Sequence, residues 1–388
     1  TVPTAWLGIC LVALGTGFIK PNLSTMVGEL YDEEDPRRDA GFQIFYMSIN
    51  LGSFFSPLVV AFLRSQWGYH AGFAAAAVGM AAALTAFLIG RKALHGIGSQ
   101  VPAPLSAQGR RRLGWVSLGI LAGAGLLFGL FLMLEGDFPA AIVDTVATIS
   151  ILASVGYFTA MLRSPRVTAN ERSHVKAYIP LWFGAMLFFM IFEQAAGKMA
   201  TFAASNTQLD LGSVSIDPSL YQSINPLGIV LLAPLIGAFF TARAGRFPNT
   251  AAKFAFAVLL IGISALAMGG AFATWPGGTS LAPFYVLALV FVLQTIAELF
   301  LSPVGLSATT MLAPKAFASQ AMALWFLATA AGQGVAALTI KATANLSDAT
   351  FYYVLGGVTL VCAAGLFALV PWTQRKMADI EEMKRRAA

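Results

Sequence analysis

Long apolar segments alternate with short polar ones along almost the whole chain. Each apolar segment is about 20 residues or longer, which is the length that an α-helix needs to cross a bilayer. The segments are rich in Gly, Ala and Ser, and small residues of this kind allow membrane helices to approach closely. The pattern predicts an all-α membrane protein with eleven membrane-spanning helices, at residues 4–28, 42–63, 71–90, 113–134, 138–162, 177–203, 219–242, 251–273, 283–311, 317–340 and 350–372.

Composition supports this class of protein. Hydrophobic residues make up 57% of the 388 residues, and charged residues make up 11%, whereas a soluble domain carries about 25% charged residues. Most of the charge lies in the short loops, so the lipid bilayer is the expected surroundings of the chain. The net charge of +6 follows from these loops and requires no nucleic-acid partner.

The loop charges also predict how the protein is oriented. Nearly all of the 24 Lys and Arg residues lie in one alternate set of loops, whereas the opposite set contains Arg64 and Lys341. Loops rich in Lys and Arg stay on the cytoplasmic side. We therefore expect a multi-pass protein of the plasma (inner) membrane, with residue 1 outside and the C-terminus in the cytoplasm.

Charged residues lie well inside some of the predicted spans, and those considered for function are Lys20, Glu193 and Glu298. A charged side chain in a membrane is costly and usually faces a pathway or a partner. Lys20 faces a central cavity in one interpretation and extends its amine to the headgroups in the other. Glu193 either takes up and releases a proton or is hydrogen-bonded between helices. Glu298 is the natural partner of Lys20, in a pair that either opens as a gate or is permanent.

Other chemistry finds little support in the sequence. Cys10 and Cys362 each stand alone in an apolar segment, and the three histidines show no metal-ligand spacing. The glycines of GTGF lack the preceding strand and the third glycine of a dinucleotide loop. We therefore expect no metal and no cofactor, and an enzyme is disfavoured because no nucleophile is paired with a base.

Four stretches carry a resemblance to a known family: GTGFIKPN, DPRRDAGFQIFYMSINLGSFFSP, the FEQ of span 177–203, and ELFLSPVGLS. In order and spacing they resemble the proton-dependent oligopeptide transporters of the major facilitator superfamily. The resemblance implies two helix bundles with two extra helices between them. It divides the chain into a partial N-terminal bundle, a linker with the two extra helices, a six-helix C-terminal bundle and a cytoplasmic tail, at 1–90, 91–176, 177–372 and 373–388.

Residues 4–90 resemble the fourth to sixth helices of the family's N-terminal bundle. The first three family helices, which carry an ExxER motif, have no counterpart in the sequence. We therefore expect the sequence to be a truncated or partial one rather than a natural eleven-helix protein.

The resemblance also implies roles for individual residues. Lys20 would attract the carboxylate of a peptide and couple to proton movement, while Glu193 and Asn225 would meet the peptide's amino end. Asn50 and Trp325 match positions in the family's cavity, and Ser302 is a weaker candidate for the same site. Lys198 has no such counterpart, and a position near the outer end of its span favours an amine that extends towards the membrane surface.

The function implied by the resemblance is proton-coupled symport that imports di- and tripeptides by alternating access. The proton is the coupling ion, and the protein is expected to function as a monomer. Two alternatives stay open from the sequence. One is a major facilitator symporter for another solute, such as nitrate, a drug or a modified peptide, and the other is an intramembrane enzyme.

Overall fold

The computed structural model describes residues 2–30, 37–94, 96, 106–210, 212, 215–243 and 247–378. These residues form twelve α-helices and four 3₁₀ turns. The helices are α1 (Val2–Glu29), α2 (Arg37–Trp67), α3 (Tyr69–Gly90), α4 (Ala107–Glu135), α5 (Phe138–Arg163), α6 (Ala169–Phe192), α7 (Lys198–Ser205), α8 (Ile224–Ala242), α9 (Thr250–Thr274), α10 (Phe284–Leu312), α11 (Ala318–Ala342) and α12 (Asp348–Lys376).

The membrane-spanning helices agree with the hydrophobic pattern. Ten helical segments of the described chain are long and apolar enough to cross a bilayer, and a shorter apolar segment, Thr4–Ile19, lies within α1. The predicted all-α membrane fold is confirmed. The ends differ by a few residues because helices continue beyond the apolar segment into the polar surface, as α12 does in reaching Lys376.

One predicted span has a feature that the pattern did not indicate. The span predicted at 177–203 consists of α6, a 3₁₀ turn at Glu193–Ala196, and the short helix α7. The Glu193 N–H is shared between the carbonyls of Phe189 and Ile191, which tightens the helix at this point. Hydrophobicity is continuous across the break, so the pattern of apolar residues along the sequence cannot reveal the break.

The structure divides into two compact units, residues Thr1–Val116 and Ser117–Ala388. In the first unit, α2 and α3 form an antiparallel hairpin. Gly68 makes the turn with φ of +80°, a left-handed conformation that favours glycine. Arg64 lies over the Tyr69 ring at 5.3 Å, and a Cβ added to Gly72 would lie 3.2 Å from Val60. The predicted domain boundaries after residues 90 and 176 stay predictions.

In the second unit, α9 and α12 pack most closely. A Cβ at Gly269 would lie 2.8 Å from the Tyr353 ring, and a Cβ at Gly356 would lie 2.7 Å from Leu266. Glycine at these positions lets the two helices meet without a gap. Other side chains of these two helices, including Phe254 and Tyr352, are fully buried, and they form part of the core of the unit.

Helix α11 joins α5 and α6 in the same unit. A Cβ at Gly332 would lie 2.6 Å from the Met186 carbonyl of α6, and one at Gly334 would lie 2.7 Å from Ala147 of α5. The Trp182 indole N–H of α6 donates to the Leu324 carbonyl of α11 at 2.8 Å. One of the predicted extra helices, α5, is therefore part of the packed core of the second unit.

Candidate functional site

The break in the sixth predicted span presents the first predicted site residue. Glu193 is the last residue of the regular helix and the first of the 3₁₀ turn, and its side chain is half-buried. The turn is joined to the segment before α8 by Gln222, whose Nε2 donates to the Ala195 carbonyl at 2.7 Å. The break and the start of α8 are therefore held together.

A second part of the site lies where α8 meets α10. The Asn225 amide nitrogen donates to Glu298 Oε2 at 2.7 Å and to Thr295 Oγ1 at 3.2 Å. Thr295 donates its own hydroxyl proton to the Phe291 carbonyl at 2.8 Å. Thr295 is fully buried, while Asn225 and Glu298 are half-buried. A neutral amide thus holds an intramembrane carboxylate in place.

The two carboxylates act on one another. Glu193 is near enough to Glu298 for their charges to interact. Two like charges in a medium of low polarity repel, so the pair attracts a cation more strongly than a single carboxylate does. The structure therefore brings Glu193, Asn225 and Glu298 together in the second unit, as an acidic site that can accept a positively charged group.

The predicted residues of the first unit are described only in part. The backbone of Lys20 is helical within α1, but its side chain lies outside the described residues. Asn50 is 7% exposed, and its amide donates to the Tyr46 carbonyl one turn earlier at 3.0 Å. The expected pairing of Lys20 with Glu298 and the binding role of Asn50 stay predictions.

Trp325 and Ser302 occupy different surroundings. Trp325 is 3% exposed, with ring contacts to Phe189 and Phe254 at centroid distances of 6.1 and 6.4 Å, and it packs directly over Gly305. In this conformation the indole belongs to the core of the unit. Ser302 is half-buried on α10, one turn beyond Glu298. Their assignment to the substrate site stays a prediction.

Lys198 forms an ion pair at the C-terminal end of its span. Its amine forms an ion pair with Asp348 of α12 and lies 5.0 Å from the centre of the Phe351 ring. The interaction joins α7 to α12. The expectation that Lys198 takes no part in substrate binding stays a prediction.

Two residues of the network were not identified from the sequence. Thr295 lies three residues before Glu298, so the two side chains share one helix face, and this spacing could have indicated it. Gln222 lies three residues before Asn225 in the same way. Both signals are weak because Thr and Gln are common in helices and their partners are distant in the sequence.

The long apolar helices and the intramembrane carboxylates define a membrane transport protein with the major facilitator fold. Within this class, the chain belongs to the POT family, whose sequence profile (PTR2) matches residues 2–355. The predicted resemblance to this family is therefore confirmed, and the protein is a transporter rather than an enzyme.

Characterised relatives agree with this assignment. The chain is 36% identical over 387 residues to the di-/tripeptide transporter of Lactococcus lactis subsp. cremoris, covering 97% of this chain and 76% of the relative. It is 31% identical to dipeptide and tripeptide permease A of Yersinia pestis, covering 89% of this chain and 66% of the relative.

Solved structures show the same fold. A crystal structure of peptide transporter POT in complex with sulfate matches with a TM-score of 0.88 and 38% identity. The match covers 97% of this chain and 76% of that one. The chain thus spans about three quarters of the length of this relative.

Proposed function

We propose that the protein is a proton-coupled symporter that imports di- and tripeptides by alternating access. The observation that carries the proposal is the joining of Glu193, Asn225 and Glu298 in one half-buried acidic site within the membrane. Two relatives that are named for di- and tripeptides, at 36% and 31% identity, support the choice of substrate.

The substrate's ammonium group binds at the acidic site. An ammonium group is a donor of hydrogen bonds and a positive charge, so it needs acceptors with negative character. Glu193 and the Asn225 amide oxygen supply such acceptors. At the other end of the peptide, Lys20 holds the carboxylate, and Asn50, Ser302 and Trp325 line the site. Because the transporter contacts the two charged ends of the peptide, it recognises the peptide's side chains only weakly. A broad range of peptides can therefore bind.

Proton coupling follows from the same carboxylates. Protonation of Glu193 or Glu298 removes a negative charge, so an ion pair with Lys20 or with the substrate weakens and the two halves of the transporter can change their arrangement. The inward proton gradient then drives uptake. The transporter works as a monomer in the plasma membrane, with its C-terminus in the cytoplasm.

Uptake into liposomes tests the proposal directly. The purified protein is reconstituted, and accumulation of radiolabelled dialanine is followed with and without a pH gradient that is alkaline inside. We expect accumulation above equilibrium only with the gradient, and its collapse when a protonophore is added. The empty liposome is the control for leakage of the dipeptide.

The same assay separates the alternatives. Competition by unlabelled tripeptide should abolish dialanine uptake, whereas nitrate should not compete. Gradient-driven uptake of nitrate, a drug or a modified peptide in the absence of dialanine uptake would assign the protein to another solute and would overturn the proposal.

A further inference from the structure

The contacts of Thr295 assign it a role in the substrate site. We propose that Thr295 is a positioning residue that holds the Asn225 side chain with its amide oxygen available to the substrate's ammonium group. The proposal rests on the proposed function, because it requires a substrate with an ammonium group. It adds a residue that touches no substrate and acts through Asn225.

The argument begins with the two ends of an amide side chain. The oxygen of Asn225 can accept a hydrogen bond from an ammonium group, whereas its NH₂ group can only donate and would repel one. Asn225 can therefore accept a hydrogen bond from a peptide's ammonium group only when its oxygen, rather than its NH₂ group, faces the substrate. Both ends have nearly the same shape, so hydrogen bonding must decide between them.

Two acceptors decide the orientation in this structure. The Asn225 nitrogen donates one hydrogen to Glu298 at 2.7 Å and the other to Thr295 at 3.2 Å. In the described part of the chain, every hydrogen bond of this side chain comes from the nitrogen. The oxygen is thereby left as an acceptor on the side away from Thr295 and Glu298.

Thr295 and Glu298 differ in how firmly they act as acceptors. The Thr295 hydroxyl proton is used by the Phe291 carbonyl at 2.8 Å, and the side chain is fully buried where α8 approaches α10 at Gly228. Its oxygen is therefore an acceptor at any pH. A protonated Glu298, in contrast, carries an O–H that can donate to the Asn225 oxygen and so favour the reversed amide.

Two carboxylates in the described part of the chain, Glu298 and Glu193, take part in this switch. Within the ranges that the structure describes, Glu193 is the charged group that acts on Glu298. Lys253 of α9 lies over the Phe240 ring at 3.8 Å, and Lys341 of α11 binds Glu135 and Asp144. Thr295 therefore keeps the Asn225 oxygen towards the substrate when Glu298 takes up a proton. At this step a symporter must hold the proton and the substrate at the same time.

Three variants test the role of the Thr295 hydroxyl group. Thr295→Val keeps the shape of the side chain and removes the acceptor, while Thr295→Ser keeps the acceptor. Thr359→Val is the matched control, because Thr359 is also fully buried and also donates to a carbonyl one turn earlier at 2.8 Å. Thr359 lies on α12, away from Asn225, so its variant reports the loss of a buried hydroxyl alone.

The readout is the affinity for dialanine of the purified protein, measured by calorimetry near pH 8 and near pH 5.5. We expect Thr295→Val to weaken binding about threefold at the higher pH and roughly tenfold or more at the lower pH, where Glu298 can donate. Thr295→Ser and Thr359→Val should stay within about twofold of the wild type at both pH values.

Two results would overturn the inference. The first is wild-type affinity in Thr295→Val at both pH values, and the second is an equal loss at both, which indicates packing rather than amide orientation. Failure of the proposed function looks different, because the wild type itself would then bind no dialanine. Melting curves of the detergent-solubilised variants show whether each one is folded at the temperature of the titration.

Discussion

At the scale of single residues, the carboxylates of the second unit differ in what neutralises them. Asp144 on α5 is bound at 2.9 Å by the amine of Lys341, which also binds Glu135. Protonation of Asp144 would break its ion pair with this amine. Glu298 is bound by the neutral amide of Asn225, and this partner carries no charge that protonation of Glu298 would leave unpaired. This difference supports the proposal that Glu298 and Glu193, rather than Asp144, serve in proton coupling.

Substitution of Glu193 by Gln tests this selection. The change keeps the shape of the side chain and removes the charge, so we expect the protein to fold and to exchange dialanine across the membrane. Accumulation driven by the pH gradient should fall at least roughly tenfold, because the variant cannot release a proton at this position. Counterflow and gradient-driven uptake of labelled dialanine are the two measurements.

Asp348→Asn is the matched control for Glu193→Gln. Asp348 is also a carboxylate of the second unit, but it pairs with Lys198 at the N-terminal end of α12, with 44% of its side chain exposed. The control variant should accumulate dialanine like the wild type. Full accumulation by Glu193→Gln would show that coupling does not depend on Glu193.

At the scale of the helices, close contacts through glycine determine which elements pack together. Helix α11 meets α6 at Gly332 and α5 at Gly334, in each case with no room for a Cβ atom. Helices in lipid gain little from the hydrophobic effect and associate through close packing and interhelical hydrogen bonds. The contacts of α11 therefore explain why α5 belongs to the second unit.

Substitution of Gly332 by Ala should separate α11 from α6. The added Cβ would lie 2.6 Å from the Met186 carbonyl and 2.9 Å from the Met190 nitrogen, which are backbone atoms that cannot rotate away. We expect a loss of about 1–3 kcal/mol of stability, seen as a lower melting temperature of the detergent-solubilised protein.

Gly365→Ala on α12 serves as the control for this prediction. A Cβ at Gly365 meets nothing within 4 Å, and alanine favours the helix over glycine by about 0.4–1 kcal/mol. The control should melt at or slightly above the wild-type temperature. Equal melting temperatures for the two variants would show that the α6–α11 contact is looser than described.

At the scale of the whole molecule, the sidedness of the loops is the testable consequence of the charge pattern. The loop between α9 and α10, which includes Thr279, belongs to the set poor in Lys and Arg, whereas the loop between α10 and α11 contains Lys315. The positive-inside rule places the first outside and the second in the cytoplasm.

Cysteine labelling of intact cells measures this sidedness. With Cys10 and Cys362 replaced by Ser, we expect Thr279→Cys to react with a membrane-impermeant maleimide, because its side chain is exposed. Ala316→Cys, also exposed, should react only after the cells are opened. The opposite result for the two positions would reverse the orientation.

Much of the fold could be predicted from the sequence because its cause is local. A segment of about 20 apolar residues must form a helix in lipid, since only a helix satisfies its own backbone hydrogen bonds there. The apolar segments thus located the membrane-spanning helices, and Lys20, Glu193 and Glu298 stood out because each interrupts an apolar segment. Family motifs added Asn225, which hydrophobicity does not distinguish.

The tertiary structure decided which of these residues meet. Asn225 and Glu298 are 73 positions apart, and their contact depends on the rotation and depth of α8 against α10. Thr295 gained its role, and Trp325 its place in the core, through packing of the same kind. The sequence by itself determined where the chain crosses the membrane, because lipid acts on each segment separately. Partnership between distant side chains was decided by helix packing, because it depends on all the interhelical contacts together.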